Sequence, residues 1–191
     1  GLALVVGPGG IGSAVAAELK RTCPDLKVLT AGRHGPPASS LQLDIENDSD
    51  LDGLSSSLHA EELPLRLVFN CSGRLHGPAL QPEKRLQQID RSQLEQQFGI
   101  NAMAPILLAK AIEPLLQRDQ PFHFASLSAR VGSIGDNRTG GWYGYRAAKA
   151  AQNQLLRCLS IEWARRWPLA TVSLLHPGTT DTALSLSLIH I

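Results

Sequence analysis

Residues 2–12, LALVVGPGGIG, decide how the rest of the chain is read. Leu2–Val6 (LALVV) is an unbroken apolar run ending at glycine, the pattern of a strand buried on both faces. Residues 11–21 then place apolar side chains at helical spacing. Between them Gly7-Pro8-Gly9-Gly10-Ile11-Gly12 matches GxGxxG. Glycine there allows a tight turn and a close backbone approach to a pyrophosphate. The following helix offers free N–H groups and the positive end of its dipole to that anion. GxGxxG alone is a weak signal. Set between a strand and a helix, it points to dinucleotide binding through Gly7, Gly9, Gly10, Ile11 and Gly12 rather than to a plain loop.

Working outward, apolar runs alternate with amphipathic stretches. Further strands are predicted at 26–30, at 41–43 ending at Asp44, and at Leu65–Asn70, Phe122–Leu127 and Ala170–Leu175. Helices are predicted through about Leu58, over roughly 87–98 and 102–116, and over Tyr143–Arg166, the last closed by Trp167-Pro168. Gly/Pro-rich or polar loops fall at 32–37 and 133–141. Such alternation implies right-handed crossovers and a parallel sheet covered on both faces, in one domain.

Composition narrows the function. A formal net charge of +1 gives no field for nucleic acid or anionic lipid. Cys23, Cys71 and Cys158 lack CxxC or metal-ligand spacing, which points to free thiols in a reducing, cytoplasmic setting. His34, His59, His76, His123, His176 and His190 likewise show no ligand spacing, so no metal site is expected. No apolar stretch approaches the roughly 18 residues that cross a bilayer. Gly1 leads straight into a strand without an initiator Met. The apolar tail LSLIHI at 186–191 matches the translation of a common sequencing adapter and is expected to be non-native, leaving 1–185 as the domain.

Two further places carry chemistry. After the second strand, where an acid would accept from a ribose 2′-hydroxyl, stands Thr30-Ala31-Gly32-Arg33-His34. A guanidinium suits a 2′-phosphate, so Arg33 points to NADP, with NAD possible; the alternative is a solvated loop arginine. On the long helix, Tyr145 and Lys149 lie four apart and share a face. An ammonium beside a phenol favours the phenolate, and a tyrosine so tuned can pass a proton to a carbonyl oxygen. Tyr143 has Ala147 four residues on and is not a candidate.

With these residues placed, the chain resembles the short-chain dehydrogenases/reductases, nearest the subgroup holding C-factor-like proteins and Sniffer-type carbonyl reductases. The resemblance rests on GPGGIG at 7–12, LDI at 43–45, NCSG at 70–73 and INA at 100–102. It continues through SARVGSI at 128–134, GGWYGYRAAKAA at 140–151 and HPGTTDTAL at 176–184. It implies a Rossmann-type, doubly wound, three-layer α/β/α fold whose final strand is missing. It implies an NADP(H)-dependent oxidoreductase acting on a small-molecule carbonyl or alcohol, as a homo-oligomer, dimer or tetramer.

Site roles are implied residue by residue. Asp44 and Ile45 border the adenine. Asn70, Cys71, Ser72 and Gly73 form the turn beside the cofactor. Asn101 holds a water in a proton relay to Lys149. Tyr145 is the general acid/base. Lys149 lowers the tyrosine pKa and bonds the nicotinamide ribose. Pro177, Gly178 and Thr182 embrace the carboxamide. The chain departs from its relatives in a shorter glycine turn. It departs again where many carry a second, carbonyl-orienting serine, for a gapless reading puts Ala129 there. Ser128 is assigned that role as the nearest hydroxyl, ahead of Ser126 and Ser133. The contrasting reading is a non-catalytic dinucleotide-binding or signalling protein, which the C-factor-like relatives and Ala129 favour.

Overall fold

The computed structural model describes residues 1–34, 40–78 and 80–178. Among them six strands form one parallel sheet in the order β3-β2-β1-β4-β5-β6. These are β1 (Leu2–Val6), β2 (Lys27–Gly32), β3 (Leu41–Gln42), β4 (Leu65–Asn70), β5 (Phe122–Leu127) and β6 (Ala170–Leu175). The chain winds outward from β1 in both directions, the doubly wound arrangement expected.

β1 lies at the centre, all five residues buried. Leu2, Leu4 and Val6 face one apolar core, and Ala3 and Val5 face the other. That is the period-2 alternation of a strand packed on both sides. The larger core is closed by α2 (Asp48–His59), α4 (Ala104–Ile112) and α5 (Tyr143–Arg166), through residues such as Leu54, Leu108 and Leu156. The smaller is closed by α1 (Gly10–Thr22), through Val15, Ala16 and Leu19. Trp163 anchors the C-terminal half of α5, edge-on to Phe122 and Phe124, and its indole N–H donates to Glu113 at 2.9 Å.

One expectation is corrected. The two helices predicted on either side of Gly99 are a single helical run. It passes through α3 (Arg91–Phe98), a π turn (Gly99–Met103) and α4. The gap that the sequence reading left between the two is bridged by one wider turn. The run Arg91–Leu115 is also long and apolar enough to cross a membrane by length and composition, against the sequence expectation. Its apolar stripe, including Ile100, Ala104, Leu108 and Ile112, is buried against the sheet and forms a core helix here.

Leu108 is fully buried at the centre of that stripe. Leu108→Ala is expected to lower unfolding stability by about 2–5 kcal/mol, read from urea denaturation followed by far-UV circular dichroism.

Candidate active site

The glycine turn is built by exclusion. Gly7 has a φ of +79°, a left-handed conformation that favours glycine. A Cβ on Gly12 would lie 2.2 Å from the Gly7 carbonyl oxygen, so α1 can pass that close to β1 only without a side chain. Gly9, by contrast, faces open space. It is the N-cap of α1 but gives no side-chain cap, and no acid lies in the first turn. The leading N–H groups of α1 and its dipole thus stand at an open turn with no acid of their own helix against them, which suits a pyrophosphate.

A cavity of about 440 Å³ opens above this turn. It brings together Gly7, Gly9, Arg33, Asp44, Ile45, Cys71, Ser72 and Gly73, at the C-terminal ends of β1, β2 and β4 and in the loop after β3. Arg33 is exposed at its rim. Asp44 is half-buried, its carboxylate accepting from the Glu46 N–H at 3.0 Å. Arg74 and Glu46, neither singled out in the sequence, make an ion pair of 3.0 Å beside it. Gly10, Ile11 and Gly12 shape the turn without lining the cavity. Pro177 and Gly178 follow β6 and are exposed, and Thr182 lies outside the described residues.

Asn70 lies beneath the cavity and is fully buried. Its amide oxygen accepts from the Ser72 N–H at 3.1 Å, and its nitrogen donates to Ser126 at 3.0 Å. The turn after β4 is thereby fixed to β5. Ser126 in turn accepts from Gln152 on α5 at 2.9 Å.

Tyr145, Lys149 and Gln152 share one buried stripe of α5 with Leu156, Leu159 and Trp163. The Lys149 ammonium donates to the Leu127 carbonyl and to Gln152 Oε1, each at 3.0 Å, and stands 5.9 Å from the centre of the Tyr145 ring. Burial pushes the tyrosine up to about 12 and the lysine down to about 8. The net shift of the tyrosine is upward, with burial as its cause. The nitrogen lies against the ring, and desolvation of the phenolate governs the shift.

The turn into α5 is tightly specified. Gly140, Gly141 and Trp142 all take positive φ, and the Trp142 indole meets the Tyr145 ring edge-on at 6.5 Å. Glu83, 4% exposed, holds this turn: its carbonyl accepts from the Trp142 N–H, and its carboxylate accepts from the Gly144 N–H at 3.2 Å. A buried carboxylate is favoured there by the helix dipole. Nothing in the sequence around Glu83 marked it.

Asn101 is fully buried within the π turn. Its side chain is committed elsewhere, accepting from the Arg74 N–H at 3.0 Å and donating to the Arg74 carbonyl at 2.8 Å and to Gln97 at 2.7 Å. Gly73 separates it from the lysine: a Cβ there would lie 3.2 Å from Asn101 Oδ1 and 3.6 Å from Lys149 Nζ. The Ser128 hydroxyl donates to Asn153 at 2.6 Å. Asn153 is two helical turns beyond Tyr145, about 12 Å along the axis.

The sequence pattern of the family described as short chain dehydrogenase matches residues 2–189. The chain belongs to that family. This short-chain dehydrogenase is 29% identical over 143 residues to the 1-hydroxy-2-glutathionyl-2-methyl-3-butene dehydrogenase of Rhodococcus sp. (strain AD45), covering 75% of the chain and 59% of that relative. It is 36% identical over 97 residues to the C-signal protein of Myxococcus xanthus, covering 51% of the chain and 57% of the relative. It thus spans less than two thirds of the length of these curated relatives. The carbonyl reductase Sniffer of D. melanogaster superposes with a TM-score of 0.81 at 25% identity, over 96% of the chain and 82% of Sniffer.

In this dehydrogenase Gly12→Ala drives a methyl group into backbone that cannot yield. It is expected to weaken nicotinamide-dinucleotide binding by about tenfold or more, measured by quenching of protein fluorescence.

Proposed function

We propose that the chain is an NADP(H)-dependent oxidoreductase that moves hydride between the nicotinamide and a carbonyl/alcohol substrate. Tyr145 is its general acid/base. The observation that carries this reading is the pairing, on one buried stripe of α5, of a phenol and an ammonium, the ammonium lying just behind Gly73 in the wall of a cleft suited to a dinucleotide. When bound, NADPH supplies the hydride.

The chain's own groups supply position and proton. A phenol held up at about 12 keeps its proton through the neutral range. It therefore acts as the acid, donating to the carbonyl oxygen as negative charge develops there. Lys149 has three ammonium N–H groups, two of them already satisfied by Leu127 and Gln152. The third is available to the nicotinamide ribose. Asn101, itself fixed by Arg74 and Gln97, holds a water in a proton relay to this lysine. Ser128 orients the carbonyl by exchanging its bond to Asn153 for one to the substrate.

Cofactor choice rests on Arg33 at the rim, where a guanidinium meets a 2′-phosphate with paired charged bonds. Gly10, Ile11 and Gly12 hold the pyrophosphate turn. Asp44 and Ile45 border the adenine, and Asn70 to Gly73 border the nicotinamide half. Pro177, Gly178 and Thr182 close over the carboxamide. Exposed Met103, Leu155 and Ile161 offer apolar surface for a homo-oligomer, dimer or tetramer. The three free cysteines fit a cytoplasmic enzyme.

A second reading, dinucleotide binding without turnover, is favoured by Ala129 and by the likeness to the C-signal protein. One assay separates them: NADPH oxidation with a panel of aldehydes, ketones and quinones. Turnover supports the enzyme, and binding without turnover overturns it. Tyr145→Phe is expected to cut that turnover by about a hundredfold or more while NADPH still binds. Arg33→Ala is expected to weaken NADPH about tenfold and leave NADH unchanged, by equilibrium titration.

A further inference from the structure

Gln152 is a fully buried amide on the core-facing stripe of α5, where its neighbours Ala148, Leu156 and Leu159 are apolar. A buried amide is costly unless its groups are bonded, and a methionine of similar volume would fill this space without that cost. Both ends of the amide are used. Its nitrogen donates to the Ser126 hydroxyl at 2.9 Å and to the Leu127 carbonyl at 3.1 Å. Its oxygen accepts from Lys149 at 3.0 Å. An ammonium has only donors, so the atom facing it must be the amide oxygen.

Building on the reading of Lys149 as the cation of the site, we propose that Gln152 is its positioning residue: Gln152 and the Leu127 carbonyl together hold the ammonium and aim its third N–H toward the cofactor. The same amide reaches Asn70 through Ser126, so the lysine and the turn after β4 are held by one continuous set of bonds.

The groups facing Lys149 are few. Tyr145 stands beside it on α5. The Leu127 carbonyl comes from β5, and Gly132, from the turn after β5, packs against the lysine stem. Gly73, with Asn101 behind it, comes from the turn after β4 and the π turn. Among the described residues no carboxylate ion-pairs with it. Burial alone pushes its amine down to about 8, and neutral acceptors oppose that push.

The test is a pH titration of Lys149 in the whole chain, labelled with carbon-13 at lysine Cε and followed by NMR, with K149R identifying the signal. Q152M, which removes the acceptor, is expected to lower the titration midpoint by about one pH unit, and Q152E to raise it by at least as much. Q152N, one methylene shorter, stands in if Q152M does not fold. Midpoints that coincide with the wild type in these variants overturn the proposal, whatever the activity. In the NADPH assay at neutral pH, Q152M is expected to lose about tenfold in kcat/KM. A wild type without turnover whose midpoints nevertheless move as stated would sink the proposed function and leave the positioning role standing.

Discussion

Everything at the site depends on the parallel hydrogen bonding of β1 to a neighbour on each side. Leu2–Val6 is matched residue for residue with 27–31 on β2 and, past one irregularity, ends opposite Asn70 on β4. Parallel pairing makes neighbouring strands end on the same side. Gly7, Arg33, Cys71 to Gly73 and Ser128 are therefore brought to one edge although they lie far apart in sequence. The ladder continues past the strand itself, since Gly7 N–H donates to Ala31 at 2.9 Å and Cys71 N–H to Val6 at 2.8 Å. The glycine turn begins at a fixed height above the sheet because these bonds set it.

At that edge the chain works by desolvation more than by ion pairing. Tyr145 and Lys149 are both buried, and burial favours the uncharged form of each, so their pKa values move apart, to about 12 and about 8. The phenol becomes a reluctant acid and the amine a weaker base. The bonded acceptors around the lysine, together with the ring beside it, work against this tendency. Through the neutral range the phenol keeps its proton, while the amine titrates close to that range.

Much of this was legible in residue patterns, because short-range periodicity and glycine sterics leave marks in sequence. Four strands and α5 begin and end where the apolar runs and helical spacing put them: β1, β4, β5, β6 and Tyr143–Arg166. Gly7 and Gly12 were readable because only one residue type fits those positions. What stayed hidden depends on distant partners. The π turn at Gly99–Met103 joins what the sequence pattern left as two helices, and its Ile100, Asn101 and Ala102 are buried by partners distant in sequence. Glu83 and Gln152 look ordinary until 61 and 26 residues of separation are closed by folding to Gly144 and Ser126. Ser128 pairs with Asn153 for the same reason, a contact that strand alternation cannot anticipate.

Trp142, at φ +51°, carries one further meaning. A bulky side chain in the left-handed region costs on the order of 1 kcal/mol, so this residue does not rest in its own preferred conformation. It is kept there by bonds to Glu83 and Arg146 and by the neighbouring phenol ring. The turn next to Tyr145 is thus set by its neighbours and not by the preference of its own residue. A change at Glu83 or Arg146 would therefore be felt first at the turn beside Tyr145, where the backbone depends on those contacts for its conformation.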